Sequence, residues 1–193
     1  MGRPSRSDWS RRAVLGAGAA LAAPAAARGR PVVLACCGAA GALGEMDVTA
    51  GASGVLAEAV AGGARADAVV LAATDWMAWL AGLGAVGSAR VVGHDRLVRV
   101  PGRGLVTGDP DVSALGRHAQ GALEGGGAWP GVRLVPCAAD VVAAARRGAG
   151  AVAYGSMIDG APVEGPPVRY VAALVDGRAG LLDRIAAAGI GRG

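Results

Sequence analysis

Short apolar runs alternate along the chain with segments whose apolar residues recur at helical spacing. Residues 31–37 form a continuous apolar run that Gly38 ends, which is typical of a strand buried on both faces of a sheet. In residues 54–61 the apolar side chains recur at helical spacing, and Ser53 precedes them as a candidate N-cap. This part of the chain is therefore predicted to be a buried strand followed by a helix.

The same alternation continues through the rest of the sequence. Further strands are predicted at residues 67–72, 90–101, 105–107, 132–136, 151–154 and 168–175. Further helices are predicted at residues 75–83, 115–123, 140–147 and 180–188. Strands and helices that alternate in this way predict an α/β fold and argue against an all-helical one.

Two extended segments, residues 96–100 and 169–174, lie far apart in the sequence. They fall where a chain that crosses between two lobes would run, and we expect them to pair as hinge strands. Lobe 1 is then predicted to contain residues 31–98 together with 170–193, and lobe 2 to contain residues 99–169. The expected architecture is a two-lobed α/β fold with two hinge crossings.

The N-terminal segment has the features of a twin-arginine export signal over residues 1–30. Arg11 and Arg12 stand directly before a moderately apolar stretch, and small residues suited to cleavage follow at 24–27. A membrane-spanning helix needs ~20 strongly apolar residues, and this stretch is shorter and rich in Ala and Gly. The alternative interpretation is a basic tail without a targeting role.

Composition and charge narrow the range of partners. The chain is 53% hydrophobic and has no Phe, so its core must be built mainly from Val, Leu, Ile and Ala. The formal net charge of +4 is concentrated in the predicted signal, and without residues 1–27 the chain is nearly neutral. Binding to a phosphate backbone requires a basic surface, so no nucleic-acid partner is predicted.

The three cysteines, Cys36, Cys37 and Cys137, are an odd number, and two adjacent residues are poorly placed to bridge each other. No disulfide framework is therefore predicted. Residues 34–36 also offer an alternative as a lipoprotein cleavage box, although basic residues and a proline interrupt the apolar segment before it.

No catalytic or metal site is predicted. His94 and His118 have no Cys or acidic residues at ligand spacing, which argues against a zinc site. An exported enzyme with Cys36 or Cys37 as its nucleophile is the competing class of function. A thiol inside or at the end of a buried strand is usually inert, so we expect a binding protein without chemistry of its own.

Five motifs follow one another in a fixed order. They are GGARADAVV (62–70), DWM (75–77), GDP (108–110), ADV (139–141) and VAYGS (152–156). In this order, over most of residues 31–175, the sequence resembles the molybdate-binding periplasmic proteins of molybdate ABC transporters. The resemblance implies a type II periplasmic-binding fold whose lobes close over a tetrahedral oxyanion. It also implies a monomer that works with an ABC permease and its ATPase, needs no cofactor, and carries molybdate or tungstate.

The resemblance assigns five ligand-binding positions. The family's second binding Ser falls on Ser53, its binding Val amide on Val141 and its binding Tyr hydroxyl on Tyr154. Two positions depart from the pattern, because Gly38 stands where the family has its first binding Ser and Leu115 where it has a small residue. A dianion without counter-ions needs neutral donors, which helix N-termini and hydroxyls supply. The loss of one hydroxyl leads us to expect that Gly38→Ser strengthens binding.

The chain is also shorter than the family. Few residues separate Glu45 from Thr49, and Gly104 is followed at once by the predicted strand 105–107. These deletions are expected to shorten the first helix and the segment beyond the first hinge crossing. A divergent sensor of the same fold with another ligand is the alternative that this shortening leaves open.

Overall fold

The computed structural model describes residues 29–124, 131–176 and 180–191. Residues 1–28 of the predicted export signal lie outside these ranges. The strands are β1 (Val32–Cys36), β2 (Asp47–Gly51), β3 (Ala68–Leu71), β4 (Ala89–Asp95), β5 (Leu97–Val100), β6 (Arg103–Gly108), β7 (Arg133–Val135), β8 (Ala149–Tyr154), β9 (Ala161–Pro162) and β10 (Val168–Leu174). The helices are α1 (Cys37–Ala40), α2 (Ser53–Ala61), α3 (Thr74–Gly82), α4 (Ala114–Glu124), α5 (Ala138–Arg146) and α6 (Leu181–Ala187), with a short 3-10 turn at Gly41–Leu43 after α1.

The strands form two mixed sheets. The first has the order β2-β1-β3-β10-β4, with β1 parallel to β2 and β3, and with β10 antiparallel to β3 and β4. The second has the order β7-β6-β8-β5-β9, with β6 parallel to β7 and β8, and with β5 antiparallel to β8 and β9. The predicted two-lobed α/β fold is confirmed.

The chain passes between the two sheets twice. It leaves the first sheet after Asp95 and enters the second at Leu97, and it returns between Pro162 and Val168. Leu97 and Val98, which the sequence placed in lobe 1, lie in β5 of the second sheet. Below, lobe 1 is the first sheet with its helices, and lobe 2 is the second sheet with α4 and α5.

The predicted pairing of residues 96–100 with 169–174 is wrong. In the structure β10 pairs with β4, and β5 pairs with β8. The physical reason is burial: β10 is almost wholly apolar and buried, so it needs a strand on each side to satisfy its backbone groups. Its position between β3 and β4 meets that need within lobe 1.

Two elements near the first strand were not predicted. The α1 helix has only four residues, in agreement with the expected shortening of the first helix. The β2 strand lies at the edge of its sheet and is partly exposed, so it lacks the apolar run that marks the buried strands.

Asp95 stands at the first crossing and connects elements of both lobes. Its carboxylate is 6% exposed and accepts hydrogen bonds from the Tyr170 hydroxyl (3.0 Å) and from the amide and hydroxyl of Ser156. It also accepts from the amide of Arg96 at 2.8 Å. Tyr170 lies in β10 of lobe 1, and Ser156 follows β8 of lobe 2, so one carboxylate fixes both lobes at the hinge.

We expect Asp95→Ala to lower the free energy of unfolding by about 3 kcal/mol, because each hydrogen bond to a charged acceptor contributes ~1.5–3 kcal/mol and the Tyr170 hydroxyl would stay buried without a partner. Urea denaturation followed by circular dichroism measures the change. Asp159→Ala is the control, since Asp159 is exposed and its replacement should cost less than ~0.5 kcal/mol. Equal losses in the two variants would contradict the assigned role of Asp95.

Candidate functional site

The carboxyl ends of the parallel strands in the two sheets face each other. In lobe 1, β1, β2 and β3 lead directly into α1, α2 and α3, and in lobe 2, β6 and β7 lead into α4 and α5. In open α/β sheets ligands bind at this edge, where helix N-termini present unpaired amides. The candidate site is therefore the region between the N-termini of these helices.

Polar groups of the two lobes contact each other directly in this region. The Gly54 amide, in the first turn of α2, donates to the Val112 carbonyl oxygen at 2.9 Å. His118 Nε2 on α4 lies 2.9 Å from the Ala72 carbonyl oxygen at the end of β3. Both contacts join the two lobes directly, so the lobes are in a closed arrangement.

Arg117, next to His118 on α4, adds two further contacts to lobe 1. It pairs with the Asp75 carboxylate, and its Cζ lies 3.7 Å from the centre of the Trp76 ring. Partly exposed ion pairs contribute only ~0.2–1 kcal/mol each, and a cation–π contact at such a site adds ~0.5–1 kcal/mol. Because each of these contacts contributes so little free energy, it can break and re-form, so together they hold the lobes closed reversibly.

A disulfide between Cys37 and Cys137 also joins the two lobes. Cys37 is the first residue of α1, Cys137 directly precedes α5, and their Cα atoms are 6.6 Å apart. The expectation of no disulfide is therefore wrong. A single sequence does not show that two cysteines 100 residues apart form a disulfide. The predicted export signal was the feature that favoured it, because disulfides persist in oxidising compartments.

Ser53 is the first residue of α2, whereas Ala52 is the N-cap, so the N-cap interpretation of Ser53 is wrong. The side chain is 2% exposed, and its oxygen accepts a hydrogen bond from the Ala72 amide at 3.3 Å. Ser53 also hydrogen-bonds to the thiol of Cys36. Its hydroxyl thus lies between the ends of β1 and β3.

Gly38 lies in α1, and two tyrosines fill the space beside its Cα. A Cβ at this position would overlap the Tyr170 hydroxyl and lie 2.8 Å from Cδ2 of Tyr154. The two rings pack edge to face with centroids 6.0 Å apart. The structure therefore leaves no space for the serine that the family has here, which removes the basis for expecting tighter binding from Gly38→Ser.

The other three positions that the resemblance assigns are Tyr154, Val141 and Leu115, and their surroundings in the structure differ. Tyr154, the last residue of β8, is buried beside Gly38, and this burial, reinforced by Cys36 and Asp95, raises the pKa of its hydroxyl. The Val141 amide donates to the Cys137 carbonyl oxygen at 3.3 Å within the start of α5. Leu115 is buried in the hydrophobic core.

Gly38, Ser53 and Tyr154 thus meet around Cys36, which sequence reasoning had set aside as inert. Backbone groups of Gly38, Ala39 and Ala72 and the Ser53 hydroxyl hydrogen-bond to its thiol. Burial nevertheless raises the pKa of Cys36 to about 12, so the thiol stays protonated at neutral pH. These neutral hydrogen-bond donors, which would suit an oxyanion, therefore surround the sulfur of Cys36 instead.

An inter-lobe cavity of about 470 Å³ lies next to this cluster. Its walls are small residues on one face of α1 and one face of α5, together with Met157 and the segment after α6. Gly38 lines it, and so does Cys37 of the disulfide. Arg146 is the charged side chain in the lining, so the cavity favours a negatively charged ligand.

Within residues 29–124, 131–176 and 180–191, no group of three or more His, Cys, Asp or Glu side chains is arranged to hold a metal ion. No helix in the same ranges is long and apolar enough to cross a membrane.

Comparisons with known proteins agree with the fold. A family model described as a bacterial extracellular solute-binding protein matches residues 41–104, about a third of the chain. No curated protein matches the chain in sequence.

Three solved structures illustrate the range of similar folds. The periplasmic molybdate-binding protein of Azotobacter vinelandii has a TM-score of 0.69 at 13% identity, with 81% of this chain and 91% of that chain covered. The tungstate ABC transporter structure of Geobacter sulfurreducens has a TM-score of 0.62 at 13% identity, with 77% and 85% covered. The regulatory domain of CcmR from Synechocystis, solved in complex with 2-PG, has a TM-score of 0.58 at 13% identity, with 83% and 97% covered. The chain has the type II periplasmic-binding fold that these proteins share.

We expect Gly38→Ala to destabilise the protein by ~1–3 kcal/mol, the usual cost of adding a methyl group to a filled site. Gly41→Ala is the matched control, because nothing lies within 4 Å of its Cβ position and its φ of −63° suits any residue. That control should be neutral or stabilising by up to ~1 kcal/mol. Both values come from urea denaturation, and equal effects of the two changes would contradict the packing around Gly38.

We expect the Cys36 thiol to resist alkylation by iodoacetamide in the native protein at pH 8, since the thiolate is the reactive form and the pKa is about 12. The same reagent should modify Cys36 completely once urea unfolds the chain. Mass spectrometry of the peptide that contains residues 32–40 distinguishes the two states. Rapid modification of the folded protein would contradict this prediction and revive the thiol-enzyme alternative.

Proposed function

We propose that this protein is an exported solute-binding protein of an ABC importer, which captures a small anion between its lobes and delivers it to a permease and ATPase. The observation that carries the proposal is the meeting of two strand-end edges around a cavity with one cationic lining residue, Arg146. The two crossings of the chain allow the lobes to open and close on a ligand. The match to the extracellular solute-binding family model supports the same function and a location outside the cytoplasm.

For the ligand we propose molybdate, tungstate or a related tetrahedral oxyanion. The order of the sequence motifs and the names of the Azotobacter and Geobacter proteins support this class. The cationic side chain of Arg146 in the cavity lining supports an anionic ligand. The protein would need no cofactor and catalyse no reaction, and it would act as a monomer.

The ligand must compete with bonds that the protein already makes. The Gly54 amide donates to the Val112 carbonyl oxygen, the Val141 amide donates to the Cys137 carbonyl oxygen, and the Ser53 hydroxyl accepts from the Ala72 amide. A bound oxyanion would have to replace Val112 and Cys137 as the acceptors of the two amides, and the first of these bonds joins the lobes. Arg146 would attract the anion to the cavity before those donors exchange their partners.

A sensor that binds a solute without passing it to a transporter is the second candidate. The likeness to the CcmR regulatory domain favours it, since 97% of that chain is covered at a TM-score close to that of the transporter structures. The lobes are closed and held together by contacts within the chain, an arrangement that is compatible with a sensor as well as with a carrier.

Thermal unfolding of the protein with molybdate, tungstate, sulfate and phosphate tests the proposal. At one hundred times the dissociation constant, a ligand stabilises the folded state by ~2.7 kcal/mol. For a domain of this size that raises Tm by several degrees. We expect the shift with at least one of the four anions and a smaller shift in Tyr154→Phe.

Failure of all four anions to raise Tm would contradict the oxyanion proposal. In a parallel measurement with 2-PG, the compound bound in the CcmR structure, a shift with 2-PG alone would favour the sensor. Asp159→Ala is the control for both measurements, since it removes a charge at an exposed position outside the cavity lining.

A further inference from the structure

We propose that the Cys37–Cys137 disulfide is a reversible lock that keeps the two lobes closed until a dithiol reductant opens it. The inference rests on the proposed function only in naming what the lock controls, which is exchange of the bound solute. The lock itself follows from where the two cysteines lie in the fold.

The position of the disulfide makes it incompatible with open lobes. It joins the start of α1 in lobe 1 to the start of α5 in lobe 2, on the side where the strand ends face each other. The chain crosses between lobes near Arg96 and between Pro162 and Val168. Because the two cysteines belong to different lobes, we infer that a rotation which parts the strand ends also moves the cysteines apart. Their Cα atoms are already 6.6 Å apart, and a disulfide does not span more than ~7 Å.

Weaker contacts also join the lobes. They include the Gly54–Val112 hydrogen bond, the His118–Ala72 contact, the interactions of Arg117 with Asp75 and Trp76, the Ser156–Asp95 hydrogen bonds and the Tyr154–Tyr170 ring contact. All of them are noncovalent, and Asp75 and Arg117 are partly exposed to water. Once the disulfide is reduced, the lobes are held only by interactions that break and re-form rapidly.

The structure also gives a reductant access to the disulfide. Cys37 and Cys137 are each partly exposed, and Cys37 lines the inter-lobe cavity, whereas Cys36 is buried. An attacking thiolate can therefore reach Cys37 Sγ through the cavity. Arg146 is exposed and also lines the cavity, and its charge favours the approach of an anionic thiolate.

The exchange is balanced with a dithiol as co-reactant. One thiolate of the dithiol attacks Cys37 Sγ, forming a mixed disulfide, while Cys137 leaves as a thiolate at the N-terminus of α5, which stabilises negative charge. Cys137 then takes a proton. The second thiol of the reductant attacks the mixed disulfide and releases Cys37 as a thiol. Two electrons and two protons pass to the protein, and the reductant becomes a disulfide.

Amide hydrogen exchange by NMR on the full chain tests the lock without any ligand. Dithiothreitol is the reductant, and mass spectrometry verifies that the Cys37–Cys137 bond has been reduced. We expect reduction to accelerate exchange of the Gly54 amide at least tenfold, because this amide is protected by the contact between lobes. Exchange of the Ala172 amide, in the centre of the lobe 1 sheet, should stay unchanged.

Variants separate the lock from other effects of the reagent. The double variant Cys37→Ser/Cys137→Ser should exchange Gly54 rapidly with or without dithiothreitol. Cys36→Ala, which leaves the disulfide intact, should respond to dithiothreitol as the unaltered chain does. If the double variant does not fold, the reduced unaltered chain still decides the question. Unchanged Gly54 exchange after verified reduction would overturn the proposal.

Molybdate separates failure of the lock from failure of the proposed function. If the lock and the function both hold, reduction should accelerate the release of molybdate at least tenfold. Release at equal rates from the oxidised and reduced chains would overturn the lock while leaving oxyanion binding intact. If none of the oxyanions binds but Gly54 exchange still responds to reduction, the lock stands and the transport function fails.

Discussion

The direct meeting of the two lobes at the carboxyl ends of their strands is the constraint on which the rest of the structure depends. Beside the shared hydrophobic core and the Asp95 bonds at the hinge, a few specific contacts at this edge hold the lobes together. Hydrogen bonds of Gly54 and His118, the Arg117 contacts and one disulfide supply them. Because the noncovalent members are weak, the covalent member determines whether the lobes can separate.

Cys36 explains why a familiar arrangement of donors does not by itself specify a ligand. The amides at the start of α1 and the Ser53 hydroxyl are the kind of groups that hold an oxyanion, but here they surround a buried thiol. Tyr154 and Tyr170 occupy the space next to Gly38 that a larger residue would need. These donors therefore surround protein atoms, and the open volume lies toward Arg146.

Asp95 has a comparable organising role at the hinge. Its carboxylate binds Tyr170 of lobe 1 and Ser156 of lobe 2 where the chain first crosses between them. Tyr170 in turn lies against Gly38 at the start of α1. The hinge and the candidate site are thus connected through a single side chain, so a change in hinge geometry would alter the space in the site.

The sequence by itself determined the α/β class and most of the strands and helices. These features follow from periodicity and from buried runs such as β1 and β10, which are local properties. Only the tertiary structure decided that β10 pairs with β4, that Cys37 bonds to Cys137, and that Tyr170 packs on Gly38. Each of these contacts joins segments tens of residues apart, and their choice depends on competing burial and side-chain volume in three dimensions, which spacing along one chain does not encode.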